Sequence, residues 1–179
     1  AVSASDYSGC SVSSAGDVNG DGLDDLIIGA PSDDPNGSRS GASFVVFGKM
    51  AGTAVELSAV ETGLGGFVIN GVSEGDQSGW SVSSAGDVNG DGLDDLIVGA
   101  TDDAPNGAVS GASFVVFGKT TGTAVELSAV EMGLGGFVID GVSEWDRSGY
   151  SVSSAGDVNG DGFDDLIVGA PWSDPTGDE

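Results

Sequence analysis

Residues 17–25 read Asp-Val-Asn-Gly-Asp-Gly-Leu-Asp-Asp, and the apolar run Leu-Ile-Ile-Gly-Ala follows directly at residues 26–30. The same nine-residue pattern returns at residues 87–95 and 157–165. Side chains of this kind repel one another and compete with the backbone for hydrogen bonds. The stretch is therefore physically reasonable chiefly if a cation lies among these side chains. Its repetition at regular intervals decides the fold.

The interval between copies is 70 residues, and the match extends well beyond the acidic stretch. Residues 11–22, 81–92 and 151–162 are identical. Residues 41–49 and 52–61 also recur unchanged 70 positions later. A fixed period marks a repeat protein, in which each unit buries its apolar face against its neighbours. We expect three units, which are residues 1–70, residues 71–140 and, as half of a third, residues 141–179.

Short apolar runs separated by turn signals predict four antiparallel strands in each full unit. In the second unit these are Trp80–Ala85, Leu96–Ala100, Ala112–Phe117 and Gly136–Gly141, and residues 54–63 predict a helical turn in the first unit. Four strands per repeat match a propeller blade. The sequence thus predicts an all-β fold of about two and a half tandem, four-stranded antiparallel β-propeller blades. It would be a partial propeller, with an open strand edge at the last unit, or one assembled from several chains.

Composition limits the classes of partner. The 33 glycines and 7% aromatic residues suit a turn-rich β-protein, and 29 acids against four bases give a net charge of −25. This charge excludes nucleic acid and disfavours an anionic membrane surface. It also predicts calcium-rich or saline surroundings, because so acidic a chain repels itself. With no run of 18 apolar residues and no basic, apolar leader, we expect no membrane insertion and no signal peptide in this stretch.

The residue inventory argues against catalysis. The chain has no histidine and one cysteine, Cys10, which takes the place of Trp80 and Tyr150 in the other repeats and is expected to face the core. Neither a Ser-His nor a Cys-His pair can be built, and a His-ligated zinc site is excluded. The adjacent acids Asp24 and Asp25 could act in acid-base chemistry, but in a cation loop we expect them to be structural.

Spacing within the acidic stretch indicates calcium. Counted from Asp17, side-chain oxygens fall at positions 1, 3, 5 and 9, and the Leu23 carbonyl lies at position 7. An all-oxygen set without His or Cys favours calcium, which takes six to eight ligands. An EF-hand or a dockerin-like loop would need a later acid and a helix, whereas position 12 here is Ile28, Val98 or Val168. The pattern therefore predicts a calcium loop that leads into a strand.

Two points about the loop remain open at this level. Asp, Asn and Gly also favour ordinary turns, although three complete copies make a simple turn the weaker interpretation. The acids at position 8, Asp24, Asp94 and Asp164, are expected to point away from the ion as solvated or supporting groups.

The pattern Asp-Val-Asn-Gly-Asp-Gly-x-Asp-Asp-Leu-Ile-x-Gly-Ala-Pro resembles the core of the FG-GAP repeat. That repeat occurs in integrin α-subunit propellers and in many bacterial surface and secreted proteins, and we expect the bacterial type here. The chain departs from the family in having Ser-Gly for Phe-Gly at residues 8–9, 78–79 and 148–149, and Thr101 for a proline.

The resemblance implies β-propeller blades whose first and second strands are joined by a calcium loop, with about three Ca²⁺ ions per chain. The implied ligands occupy the same five positions in every loop, position 7 through its carbonyl. They are Asp17, Asn19, Asp21, Leu23, Asp25, Asp87, Asn89, Asp91, Leu93, Asp95, Asp157, Asn159, Asp161, Phe163 and Asp165.

Two non-catalytic functions are expected from these features. The first is a calcium-stabilised extracellular or cell-surface adhesion module, which binds a protein or glycan on the face opposite the calcium loops. Trp145 and Arg147, which replace Gly75 and Gln77 of the preceding repeat, are the candidate contacts there. The second is a self-assembling extracellular fibre or ring of further copies of the chain, clamped by calcium.

Overall fold

The computed structural model describes residues 5–174 and confirms the all-β prediction. The first repeat forms an antiparallel sheet from β1 (Ser11–Gly16), β2 (Asp25–Ala30), β3 (Ala42–Val46) and β4 (Gly66–Asn70). The strands lie side by side in chain order, as in a propeller blade.

The later repeats follow the same plan. The second sheet contains β5 (Ser78–Gly86), β6 (Asp95–Ala100), β7 (Ala112–Val116) and β9 (Gly136–Asp140), again antiparallel and in chain order. In the third repeat, β10 (Ser151–Gly156) pairs with β11 (Asp165–Gly169). Two four-stranded blades and the first two strands of a third make a partial propeller. The strand limits in the second repeat differ from the predicted ones by two residues or fewer.

The second strands of the three repeats are nearly identical in sequence, but their side chains are buried to different extents because the sheets have different neighbours. Leu26 is 54% exposed, whereas its counterpart Leu96 in β6 is fully buried. Ile27 and Ile97 are fully buried, whereas Ile167 is 60% exposed. Successive residues of a strand point to opposite faces, so the leucine position contacts the preceding sheet and the isoleucine position the following one.

The larger part of the core therefore lies between the sheets. Ile27, Val45 and Phe67 of the first repeat share one buried cluster with Leu96 and Val98 of the second. A second cluster joins residues 85, 97 and 115 to half-buried apolar side chains of β10 and β11. A further cluster, which includes Phe44 and Val60, lies within the first repeat. Burying one such side chain is worth about 1.5 to 3 kcal/mol, so contacts between repeats contribute much of the stability.

The predicted helical turn is confirmed in both full repeats, as α1 (Leu57–Val60) and α2 (Leu127–Glu131). One strand was not predicted. β8 (Val125–Glu126) lies just before α2 and pairs in parallel with Ile69 and Asn70 of β4, so the second repeat contributes a fifth strand to the first sheet. No helix among the described residues is long and apolar enough to cross a bilayer.

The expectation that Cys10 faces the core is wrong, because its side chain is exposed. At the equivalent position, Trp80 and Tyr150 contact each other across the boundary between repeats, with ring centroids 5.8 Å apart. Side chains at this position therefore stack between repeats and do not enter a sheet's own core. Cys10 occupies the same position in the first repeat, where its small side chain stays exposed.

Candidate metal-binding loops

Each acidic loop connects the first and second strands of its repeat, as the sequence predicted. The strand leading into the loop has a register shift before its last glycine, for example between Ser84 and Gly86. Gly86 has a φ of +71°, a conformation that favours glycine. This bulge turns the chain out of the sheet and into the loop.

Within the second loop, the acids bind the loop's own backbone. Asp87 accepts hydrogen bonds from the amides of Gly90, Asp91 and Gly92 at 2.7 to 3.1 Å. Asn89 accepts from the amide of Asp91 at 2.8 Å. These bonds wind residues 87–92 around the position-1 carboxylate, so the loop is closed by its first acid.

Asp95, at position 9, anchors the loop to the sheet. Its carboxylate is fully buried and accepts hydrogen bonds from the amides of Val88 at 3.0 Å and Gly118 at 2.8 Å. Burial raises the pKa of Asp95 to about 6, with further increases from Asp91 and Asp87, although the two amide hydrogen bonds oppose the shift. The loop thus holds mutually repelling carboxylates close to a buried one.

The first and third loops repeat this geometry. Asp17 and Asp157 each accept three loop amides, at 2.8 to 3.0 Å and 2.7 to 3.1 Å. Asp25 is buried like Asp95, and burial raises the pKa of its carboxyl group. Asp165 is half-buried and accepts from the amide of Val158 at 2.9 Å. All three loops therefore have one backbone conformation.

The donor chemistry fits a calcium ion. No three acid, His or Cys side chains converge into a ready-made metal cluster within residues 5–174. A carboxylate has about four acceptor sites, however, so Asp17, which accepts three amides, keeps capacity for a cation. Three carboxylates, one carboxamide and a backbone carbonyl on one loop are the hard oxygen donors that calcium takes.

The position-8 acids contact a neighbouring loop that sequence reasoning did not identify. Asp94 accepts a hydrogen bond from the amide of Asp17 at 2.7 Å, and Asp164 accepts one from the amide of Asp87 at 3.0 Å. Of the two expected roles, solvated or supporting, Asp94 and Asp164 therefore have the supporting one, because they bind the preceding loop. Asp24 has no preceding loop in the described residues and is exposed. The 70-residue period was the sequence signal for this contact, but the period alone does not show which residues of neighbouring repeats meet.

The other ends of the strands carry a second set of loops. The loop of residues 31–41 hydrogen-bonds to residues 71–79, and residues 101–111 bond in the same way to residues 141–149. These loops lie at the strand ends opposite the acidic loops, because each strand of the antiparallel hairpin runs from one set to the other. These segments therefore form the face opposite the acidic loops.

Trp145 and Arg147 both lie in this second set of loops. Trp145 is 58% exposed and has a φ of +69°, although bulky residues rarely adopt that conformation. Arg147 lies 3.9 Å from Asp102, and its guanidinium stands 5.2 Å from the centre of the Trp172 ring. The indole of Trp145 is thus presented to solvent, whereas Arg147 is already engaged within the protein.

A buried acid on this side of the molecule was also missed. Asp76 is 8% exposed and accepts the amide of Ser73 at 2.7 Å. Burial raises the pKa of Asp76 to about 6, followed by repulsion from Asp103 and smaller contributions from Glu131 and Asp102. The 70-residue repetition of Asp6 as Asp76 and Asp33 as Asp103 was the signal that could have found this group.

The model of the FG-GAP repeat family matches residues 11–46, 78–116 and 148–179. This chain belongs to the FG-GAP repeat family. The three matches contain the three acidic loops, so the FG-GAP resemblance inferred from those residues is confirmed.

Relatives of this FG-GAP chain include integrin α-subunits and a protein named as an enzyme. It is 35% identical to integrin alpha-5 of Xenopus laevis over 95% of this chain and 15% of that protein. It is 31% identical to integrin alpha pat-2 of Caenorhabditis elegans, over 88% of this chain and 12% of that protein. A phosphatidylinositol-glycan-specific phospholipase D of Dictyostelium discoideum is 31% identical, over 88% and 17% respectively.

The chain thus spans less than a fifth of the length of these relatives. FG-GAP repeats occur in proteins named as integrins and in one named as a phospholipase. These relatives come from animals and an amoeba, and they give no support to the expectation of a bacterial type.

Proposed function

We propose that this chain is a calcium-binding β-propeller module that binds a protein or glycan ligand outside the cell and does not catalyse a reaction. One observation carries the proposal: three FG-GAP loops place the same five oxygen donors at the same positions in one backbone conformation. Each loop would hold one ion, through the ligand positions given above, for about three ions per chain.

Electrostatics support a cation in each loop. Asp95 is buried beside Asp91 and Asp87, whose charges disfavour its ionisation. A divalent cation would turn that repulsion into attraction and would stabilise the folded loop. Because calcium is abundant outside cells, this requirement favours an extracellular or cell-surface location, and the net charge of −25 is consistent with such surroundings.

The proposed ligand-binding face is the one opposite the acidic loops. Trp145 supports this choice, since a bulky side chain held in a left-handed conformation is strained and such strain is concentrated at functional sites. Its exposed indole would supply a large, rigid contact for a protein or a sugar ring. Arg147 would contribute by holding the adjacent Trp172 ring and Asp102 in place.

The proposal of a non-catalytic module is supported by the residue inventory. The sequence has no histidine, and the described acids accept backbone hydrogen bonds in structural loops. The phospholipase D relative is more than five times longer than its matched region, so its activity does not transfer to these repeats.

Calcium titration followed by thermal melting tests the function. A ligand whose free concentration is 100 times its dissociation constant stabilises the folded protein by about 2.7 kcal/mol, so we expect a clear rise in Tm. Asp91→Ala should reduce the rise by removing one ligand of the middle loop. Asp140→Asn is the matched control. It also removes one charge, but from an exposed position outside the loops, and the equivalent residue of the first repeat, Asn70, is already an asparagine. No rise in Tm and no heat of binding in the unmodified chain would refute the calcium assignment.

Self-assembly is the second candidate, and one observation favours it. Val12 and Leu26 on the first sheet and Ile167 on the third are 54 to 66% exposed, although they are core positions in the middle sheet. Light scattering on the calcium-loaded sample distinguishes the two functions. A mass near 17.5 kDa supports the ligand-binding module, and a discrete multiple or a polymer supports assembly.

A further inference from the structure

The position-8 acids connect consecutive acidic loops by two hydrogen bonds each. Asp94 accepts the amide of Asp17 at 2.7 Å and donates its own amide to the carbonyl of Asp17 at 3.2 Å. Asp164 does the same with Asp87, at 3.0 and 3.3 Å. We call each such pair of bonds a bracket.

Each bracket joins different ligand positions of two consecutive loops. Asp17 is position 1 of its loop, and its carboxylate closes that loop through three amides. Asp94 stands between Leu93 and Asp95, which supply positions 7 and 9 of the next loop. The bracket therefore ties the first ligand position of one loop to the last two ligand positions of the following loop.

The loops are in close contact around the bracket. A Cβ atom at Gly16 would overlap the carboxylate of Asp94, and one at Gly20 would lie 3.0 Å from the side chain of Leu93. The amide of Lys119 also donates to the carbonyl of Val18 at 2.8 Å. With so little free space, a shift of residues 93–95 is transmitted to residues 16–20.

We propose that Asp94 and Asp164 are positioning residues that couple calcium binding between consecutive loops. This inference depends on the proposed function, because it assumes that the loops bind calcium. An ion in the second loop holds Leu93 and Asp95, and thereby Asp94, which fixes the backbone of Asp17 for an ion in the first loop. By linkage, an ion in the first loop strengthens binding in the second loop to the same extent.

The chain contains its own control. Asp24 occupies position 8 of the first loop, is exposed and has no preceding loop among the described residues. Asp24→Ala therefore measures what the loss of a position-8 carboxylate does to its own loop. Asp94→Ala removes a position-8 carboxylate and also the bracket. Any change in calcium binding by the preceding loop in this variant is therefore caused by the loss of the bracket.

The experiment is a calcium titration of the full chain followed by amide NMR, with Gly20, Gly90 and Gly160 reporting the three loops. Asp94→Ala should weaken binding at Gly20 by roughly fivefold or more, and Asp164→Ala should do so at Gly90. Asp24→Ala should leave the calcium affinities reported by Gly90 and Gly160 unchanged. Asp94→Asn keeps an acceptor oxygen and should restore part of the affinity at Gly20, which loss of stability alone would not explain.

A second measurement avoids any folding defect of Asp94→Ala. In a chain with intact brackets, Asp91→Ala prevents the second loop from filling and should also weaken binding at Gly20. If binding at Gly20 is unchanged in both Asp94→Ala and Asp91→Ala, the loops are independent and the coupling is refuted while the calcium function stands. If no loop of the unmodified chain binds calcium, both proposals fail.

Discussion

Asp76 is a single buried carboxylate whose charge opposes folding at neutral pH. Its neighbours Asp103, Glu131 and Asp102 are all acidic, and one cation nearby, Arg147, is paired with Asp102. Because the pKa is about 6 in the folded chain and 3.8 in the reference state, the folded protein binds more protons between these values. Stability should therefore fall as pH rises through that window.

We expect Asp76→Asn to flatten this pH dependence and to raise stability at pH values well above 6, since the amide is uncharged and can still accept the Ser73 hydrogen bond. Melting curves from pH 4 to pH 8 with a chelator present would measure it. The control is Asp146→Asn in the third repeat, where Ser173 takes the place of Asp103. If both variants follow the pH profile of the unmodified chain, Asp76 does not carry the effect.

Single residues also mark the limit of prediction from sequence. The acids at positions 1, 5 and 9 and the asparagine at position 3 could be selected from their spacing, because that spacing acts within one loop. The role of Asp94 and the exposure of Cys10 could not, since both depend on which residue of a neighbouring repeat lies opposite. The calcium ligands themselves stay a prediction until the titration is done.

At the next level, β8 shows one sequence adopting two structures. Residues 52–61 and 122–131 are identical, yet only Val125 and Glu126 form a strand. They do so because β4 lies beside them and supplies backbone partners, with no contribution from local propensity. The four main strands and the helical turns were predictable from local periodicity, whereas β8 required knowledge of the neighbouring repeat.

Glu126 should contribute to stability while its counterpart Glu56 should not. Both side chains are exposed. The carboxylate of Glu126 accepts hydrogen bonds from Asn70 at 2.7 Å and from Asn36 at 3.1 Å, whereas no side-chain hydrogen bond of Glu56 occurs among the described residues. We expect Glu126→Ala to lower the free energy of unfolding by about 1 to 2 kcal/mol. Glu56→Ala should change it by less than about 0.5 kcal/mol. Urea denaturation compares the two, and equal effects would show that the fifth strand contributes little.

Across the entire molecule, charge opposes compactness. Three calcium ions would change the net charge only from −25 to −19, so most of the repulsion would remain. Monovalent salt screens such charges over about 10 Å at 0.1 M. Repulsion among 29 acids therefore has to be balanced by the apolar contacts between sheets.

We expect sodium chloride to raise Tm steadily in a calcium-free chelator buffer, because screening weakens repulsion in the folded state most. Choline chloride at equal ionic strength is the control, and it should act equally if screening alone is responsible. A Tm that does not respond to either salt would mean that surface repulsion contributes little to stability. A response to sodium alone would indicate a bound cation.

The placement of β8 and the Asp94 bracket also has a mechanical consequence. The bracket lies at the acidic loops and the β4–β8 pair lies at the outer edge of the first sheet, with the apolar cluster between them. Tension applied between the first two repeats would load these contacts side by side. These contacts would have to break at the same time. The boundary between the first two repeats should therefore resist shear better than an interface whose contacts can break one after another from one end.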